Sequence, residues 1–211
     1  ALNKYVKKIF LVGVAVFTGW LLYPVIRVGV FYFTDPILNP VNSLTDREVD
    51  DAGQVNLSSH GGVIHLSSDL NESILLIREA LTRANNENLK IMPMGARHSM
   101  GMQSFQEGAI LLNTLSMNGM EMDGELLKVQ AGARWFEVIN FLVSKGLTVE
   151  IMQSNADISV GGTLSVNAHG WQPGRPPVSS SVGKISVITV SGEVQICSRK
   201  ENRELFRHIL G

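Results

Sequence analysis

Two stretches of this chain hold residues whose types and spacing suit the binding of a large anionic ligand. The first is Pro93-Met94-Gly95-Ala96-Arg97-His98-Ser99-Met100-Gly101, directly after a strand-like run. A tight turn of this composition lets successive backbone N–H groups converge on an anion, and Gly95 and Gly101 tolerate the positive φ such turns need. Ser99 adds a hydroxyl, and Arg97 either compensates phosphate charge or lies in solvent. The stretch is not a Walker A loop, because it lacks Gly-Lys-Ser/Thr, and it is not a GxGxxG dinucleotide fingerprint. The second stretch is Asp157-Ile158-Ser159-Val160-Gly161-Gly162-Thr163-Leu164-Ser165-Val166-Asn167-Ala168-His169-Gly170. Its paired glycines admit close backbone approach, and its small hydroxyl residues leave room. Uncharged polar loops of this kind suit a flat, partly buried organic cofactor better than a free metal ion.

Other chemistries are disfavoured. His60, His65, His98 and His169 follow no compact ligand spacing and have no carboxylate cluster beside them, which argues against a metal centre. The single cysteine, Cys197, excludes an intrachain disulfide framework and any Cys-rich zinc or iron-sulfur site. With 18 Lys plus Arg against 19 Asp plus Glu, net charge -1 and no dense basic cluster, nothing supports a nucleic-acid partner. Met92, Met94, Met100 and Met102 are read as packing residues first and as lining of a cofactor face second. Asp157 and Arg175 are either salt-bridged or solvated, and Trp171 opens a proline-rich loop, WQPGRPP, that closes over a ligand or lies on the surface.

The elements that position these loops can be read in order. Ile9 to Ile26 carries no charge over 18 residues and follows Lys4, Lys7 and Lys8. That is the short edge of a membrane-spanning helix, with Trp20 and Tyr23 at the far interface and Pro24 ending or bending it. The lysines predict a cytoplasmic N-terminus and an extracytoplasmic catalytic part. An uncleaved single-pass anchor is expected; a cleaved signal peptide and a buried or surface-lying helix are the alternatives. Residues 1–34 thus form an anchor or signal, 35–62 a polar linker, and 63–211 the domain. Val63–Leu66 is a strand, 71–88 a helix with Ile74, Ile77, Leu81 and Ala84 on its apolar face and Ser67, Ser68 and Asp69 available as caps, and 89–92 a second strand. Strands follow at 109–113 and 126–131. A helix at 135–145, with Phe136, Ile139, Leu142 and Val143 inward and Gly146 as cap, leads to a strand at 147–151. A long loop spans 152–183, a hairpin turns at Ser191-Gly192, and a last helix runs over 202–210. The pattern is α+β, with two β-α-β-like units ahead of a strand-rich end.

GARHS at 95–99, DGELLKVQAGARWFEVINFLVSKGLTVE at 123–150 and VGGTLSVNAHG at 160–170 occur in the order of a known family. The chain resembles the FAD-binding domain of the vanillyl-alcohol oxidase / p-cresol methylhydroxylase (PCMH-type) superfamily, nearest to its alditol and sugar-lactone oxidase-like and cytokinin dehydrogenase-like branches. The resemblance covers roughly 60 to 211. It implies a domain of two α/β subdomains and FAD as cofactor. It places Met94, Gly95, Ala96, Arg97, His98 and Ser99 around the pyrophosphate. His98 stands where many relatives attach the flavin covalently through its 8α-methyl group, while others bind FAD without a bond. Ile158, Gly161 and Gly162 would form a second pyrophosphate and ribityl wall, Ser165, His169 and Gly170 would lie near the flavin, and Ile185 to Val190 would approach the adenine. Ala96-Arg97 and Asn167-Ala168 depart from the commoner small pairs at those positions.

The reaction so implied is hydride transfer to FAD from a CH–OH donor (a polyol, sugar or lactone-like small molecule), with oxygen, a quinone or a cytochrome taking the electrons and the bilayer holding the N-terminal helix. ENRELFRHILG looks like a family segment cut short. The expectation is therefore a C-terminal substrate domain, carrying the catalytic residues, beyond residue 211, and a 211-residue chain inactive by itself. Two alternatives stand beside this. One is an FAD-dependent reductase resembling UDP-N-acetylenolpyruvoylglucosamine reductase. The other is a membrane-tethered flavin-binding or interaction module without its own catalysis.

Overall fold

The computed structural model describes residues 2–34, 44–99 and 101–210. It divides into two units, Ala1–Leu44 and Thr45–Gly211.

The first unit is a single helix, α1, Leu2–Thr34. Its stretch Asn3–Phe33 contains an 18-residue window with a mean hydropathy of 2.2, long and apolar enough to cross a membrane by length and composition. The helix continues through Pro24, so it does not end there. Proline removes one N–H and crowds the preceding turn, but the apolar run continues on both sides of it. Thr18, the one hydroxyl in the middle of the run, donates to the Val14 carbonyl at 2.7 Å, so it brings no unsatisfied group into an apolar medium.

The second unit begins earlier than a domain starting at residue 63 implies. The described part of the expected linker, 44–62, contains β1 (Glu48–Val49) paired antiparallel with β2 (Ser58–Ser59), and it buries Val49 and Asp51. Asp51 organises the turn between them by accepting from the N–H groups of Gly53 at 2.8 Å and Val55 at 3.3 Å, and from the Asn56 side chain. Burial works to raise the Asp51 carboxyl, but these hydrogen bonds outweigh it and hold the group below the usual carboxylate range.

The main sheet is parallel and has the order β3 (Gly62–His65), β5 (Ile110–Asn113), β4 (Ile91–Met94). The β-α-β pattern is present, but β5 inserts between its two strands. As the central strand, β5 buries Ile110 and Leu111 completely, as a parallel strand covered on both faces should. The crossover helix α2 (Leu70–Glu87) starts at Asp69, whose carboxylate accepts from Asn71 N–H at 2.8 Å and Glu72 N–H at 3.0 Å. Its buried residues are Ser73, Ala80 and Ala84, so Ile74 and Leu81 flank the packed stripe instead of centring it.

A second core follows. β6 (Met120–Asp123) and β7 (Leu126–Val129) form an antiparallel hairpin, and β6 is a strand the sequence reading lacked. Helix α3 (Trp135–Val143) buries Trp135, Val138 and Leu142, while Phe136 and Val143 face outward. The face is rotated from the expected one because the Trp135 indole N–H reaches the buried Thr163 hydroxyl at 2.7 Å. Gly146, at φ 72°, ends the helix turn as expected. Residues 147–151 form no strand, so the second β-α-β unit is not closed; Ile151 packs as a single buried side chain. The 152–183 segment holds a short helix, α4 (Val160–Ser165), and a 3-10 turn, Val178–Ser181. The chain finishes with the hairpin β8 (Lys184–Ile188) and β9 (Val194–Ser198), turned at Gly192, and α5 (Arg203–Ile209), whose Phe206 packs on Cys197. Gly211 lies outside the described residues.

Gly132 joins the two cores: a Cβ there would collide with the Thr114 carbonyl and lie 3.0 Å from the Met117 carbonyl. Backbone cannot yield as a flexible side chain can, so Gly132→Ala is expected to destabilise the domain by about 3 kcal/mol. Asp69→Ala, which removes only a cap, should cost about 1 kcal/mol. Chemical denaturation of the two variants checks the ranking, and equal midpoints would refute it.

Candidate cofactor site

β4 ends at Met94, and this fixes where the first turn begins. The Met94 side chain is buried beside Val49, Phe105 and Leu111, so it is a core residue and not a lining one. Its carbonyl accepts from the Thr114 N–H at 2.9 Å and the Thr114 hydroxyl at 3.2 Å. Met92 packs on the same cluster, Met102 is exposed, and Met100 lies outside the described residues.

The turn itself is half-buried throughout, from Gly95 to Ser99. Among the described residues, no acceptor meets any of the backbone N–H groups of Gly95, Ala96, Arg97, His98 and Ser99. Consecutive unpartnered donors at a partly buried place call for an external acceptor. Arg97 does not lie free in solvent. It sits at φ 61°, its carbonyl accepts from Ala52 N–H at 2.9 Å, and its guanidinium donates to the Asp50 carbonyl at 3.0 Å. It therefore ties the turn to the 50–52 segment.

The second loop packs directly behind the first. Ser159 caps α4, accepting from Gly162 N–H at 3.3 Å, and its hydroxyl lies where a Cβ on Gly95 would have to go. Glycine at 95 is required by this close approach. Gly161 N–H donates to the Ala131 carbonyl at 2.8 Å, and a Cβ there would lie 2.9 Å from that of Ala131. The N–H groups of both paired glycines are thus used inside the protein. Ile158 is half-buried against the second core, and its carbonyl accepts from Trp135 N–H at 3.2 Å. Ser165 is exposed and donates to the Gly162 carbonyl at 2.9 Å. His169 and Gly170 lie at the far end of the loop. The exposed His169 pairs with Pro177 in one β-bridge, and a Cβ on Gly170 would lie 2.8 Å from Ile151 Cγ2.

A polar chain then links the two loops. His98 Nε2 is 3.0 Å from Asp157 Oδ2, and Arg134 Nη1 donates to Asp157 Oδ1 at 2.9 Å. Arg134 is itself held: its N–H donates to Glu137 Oε2 at 2.8 Å, and its guanidinium lies 4.7 Å over the Phe136 ring. The hydrogen bond from His98 is the main cause holding the Asp157 carboxyl below its ordinary range. Partial burial opposes the shift, and the Arg134 charge reinforces it. Arg134 and Ser159 were missed in the sequence. The legible signals were Ser159 as a cap before Val160 and the Arg134-x-x-Glu137 spacing at the start of α3. Arg175, the other residue weighed with Asp157, makes an exposed 3.4 Å contact with Glu150.

A family model described as "FAD binding domain" matches residues 70–198. The chain belongs to this FAD-binding family, of PCMH type. Cytokinin dehydrogenase 2 of Arabidopsis thaliana is 32% identical over 181 residues, covering 84% of this chain and 34% of the relative. D-arabinono-1,4-lactone oxidase of Yarrowia lipolytica is 30% identical over 147 residues, covering 65% of this chain and 27% of the relative. The crystal structure of 6-hydroxy-D-nicotine oxidase from Arthrobacter nicotinovorans superimposes with a TM-score of 0.63 at 18% identity, over 85% of this chain and 37% of that one. The chain thus spans about a third of the length of these relatives. FAD is the cofactor of the family, and the residues present fit it. The 95–99 turn offers free N–H groups to a diphosphate, and the Ser99 hydroxyl and His98 ring flank them.

The depressed Asp157 carboxyl sets a pH window. A group whose folded pKa lies below its unfolded value contributes stability above the unfolded value, about 3.9, and loses it as pH falls through the folded one. The difference in stability between the wild type and Asp157→Asn should therefore be constant above about pH 5 and shrink towards zero in stronger acid. Urea midpoints across that range test this, and a difference that grows on acidification would contradict it.

Proposed function

We propose that this chain is the cofactor-binding part of an FAD-dependent oxidoreductase that takes a hydride from a CH–OH donor of polyol, sugar or lactone type. The observation that carries the reading is the run of free N–H groups from Gly95 to Ser99, pressed against Ser159 with no room for a side chain at 95. Bound FAD would supply the two-electron chemistry. This chain's share is to hold the diphosphate on the turn, fix the flavin ring beside His98 and keep water from that edge. His98 is proposed to carry the flavin covalently, since its ring is held by Asp157 beside the turn. Electrons then pass to oxygen or to a quinone or cytochrome at the membrane. α1 is proposed as an uncleaved anchor, with Lys4, Lys7 and Lys8 on the cytoplasmic side. A relative named for cytokinin rather than for a lactone favours a second donor class for trial.

The test uses the whole gene product, purified without added flavin. A yellow protein whose colour stays with the polypeptide in acid, and is released in His98→Ala, is the expected result. The substrate screen then sets polyols and aldonolactones against cytokinins. Absence of flavin even after reconstitution would overturn the reading.

A further inference from the structure

We propose that Asp157 is the positioning residue for His98, holding its ring as the Nε2–H tautomer so that Nδ1 is the nitrogen that meets the flavin. The inference rests on the covalent reading of His98 above and adds to it an atom and a controlling neighbour.

The argument is one of donor and acceptor capacity. An ionised carboxylate has no proton to give, so at a 3.0 Å contact the hydrogen must sit on His98 Nε2. Arg134, donating at 2.9 Å to the other oxygen, keeps Asp157 ionised and fixes its plane. In a neutral imidazole with Nε2 protonated, the lone pair is on Nδ1. Phe136 under the guanidinium and Glu137 Oε2, 3.9 Å from Nε and also accepting the backbone N–H, restrain Arg134. Glu137 is anchored in turn by the Asn118 amide at 3.1 Å. The chain of contacts therefore runs from the second core, through three side chains, to one ring nitrogen on the cofactor turn.

The covalent step balances with dioxygen as oxidant. The Nδ1 lone pair forms the bond to the 8α-carbon, and that carbon loses one hydrogen as a proton. The ring turns cationic until Nε2 sheds its own proton, and the two electrons left in the flavin reduce dioxygen, with the two protons, to hydrogen peroxide. A carboxylate beside Nε2 stabilises the transient imidazolium, as a carboxylate does for other reacting histidines. Asp157 touches His98 and acts through it.

The experiment uses the whole gene product with ¹⁵N-labelled histidine, as wild type, Asp157→Asn and Asp157→Glu. Two readouts are taken: the protonation of the two His98 ring nitrogens by NMR, and the share of bound FAD that stays with the polypeptide in acid. In the wild type Nε2 should carry the proton. In Asp157→Asn that preference should be lost and the acid-stable share should fall at least ten-fold while total FAD is retained. Asp157→Glu should recover part of both. An unchanged tautomer in Asp157→Asn, or an unchanged acid-stable share, overturns the proposal. If the wild type binds FAD but releases all of it in acid, the covalent reading of His98 falls and the flavin-facing role of Nδ1 falls with it. If no flavin binds at all, the functional reading itself fails, a result distinct from either.

Discussion

Everything at the candidate site depends on how closely the Gly95 backbone meets the Ser159 side chain. The end of β4 must run within contact of the start of α4, and no side chain fits between them at Gly95. The same kind of seam occurs at Gly132, which lies on the Thr114 and Met117 carbonyls, and at Gly161, which lies on Ala131. These contacts connect the parallel-sheet core around Leu111 and Leu112 to the helical core around Val138 and Ile151. The 95–99 turn sits on that seam. Its position is therefore set by packing between two cores and not by the turn's own sequence, which is why a half-buried run of free N–H groups can persist without collapsing onto a neighbouring carbonyl.

Much of this was legible in the sequence, and the failures are informative. α2 was found from its apolar spacing and its Asp69 cap, and the β8–β9 hairpin from Ser191-Gly192, because local chemistry decides both. The apolar face of α3 was misread because Phe136 and Val143 look like core residues by type. The decisive contact, Trp135 to Thr163, joins residues 28 apart. β6 was missed because Glu and Asp are poor strand formers, although MEMD alternates apolar and charged residues, and the strand at 147–151 was over-read because LTVEI has strand composition but no partner edge among the described residues. The expected linker hid a small hairpin whose buried anchor, Asp51, looked like one more solvated charge in an acidic run. Both candidate loops stand out by their glycines, but their contact through His98 and Asp157, 59 residues apart, has no local signature.

The two glycine-bearing loops look alike in sequence and do different work. In the second loop the glycine N–H groups are consumed, one by Ala131 and one by Ser159, so glycine there serves close packing. In the first loop the N–H groups remain free, and the side chains take the structural bonds instead: Arg97 to Asp50 and His98 to Asp157. That inversion supports the proposal that the first loop is the one that takes an external anion. Composition alone could not distinguish them, since both contain glycine, serine and a histidine.

A negative charge beside an anion-binding turn needs explanation. Asp157 is more than half exposed, at 53%, and Arg134 is 37% exposed, so their ion pair is largely screened by water. Exposed pairs of this kind contribute about 0–1 kcal/mol, too little to account for an arrangement that places a carboxylate so near the proposed phosphate site. Its value must lie in direction, not stability. Arg134 offsets the charge of Asp157 locally, which leaves the neighbouring turn open to the proposed anion. What remains is a carboxylate that accepts one hydrogen bond from His98 along a fixed line. Replacing the pair with neutral residues would leave the fold nearly as stable and the imidazole free to turn, and that freedom is what the proposed link from His98 to the flavin could least tolerate.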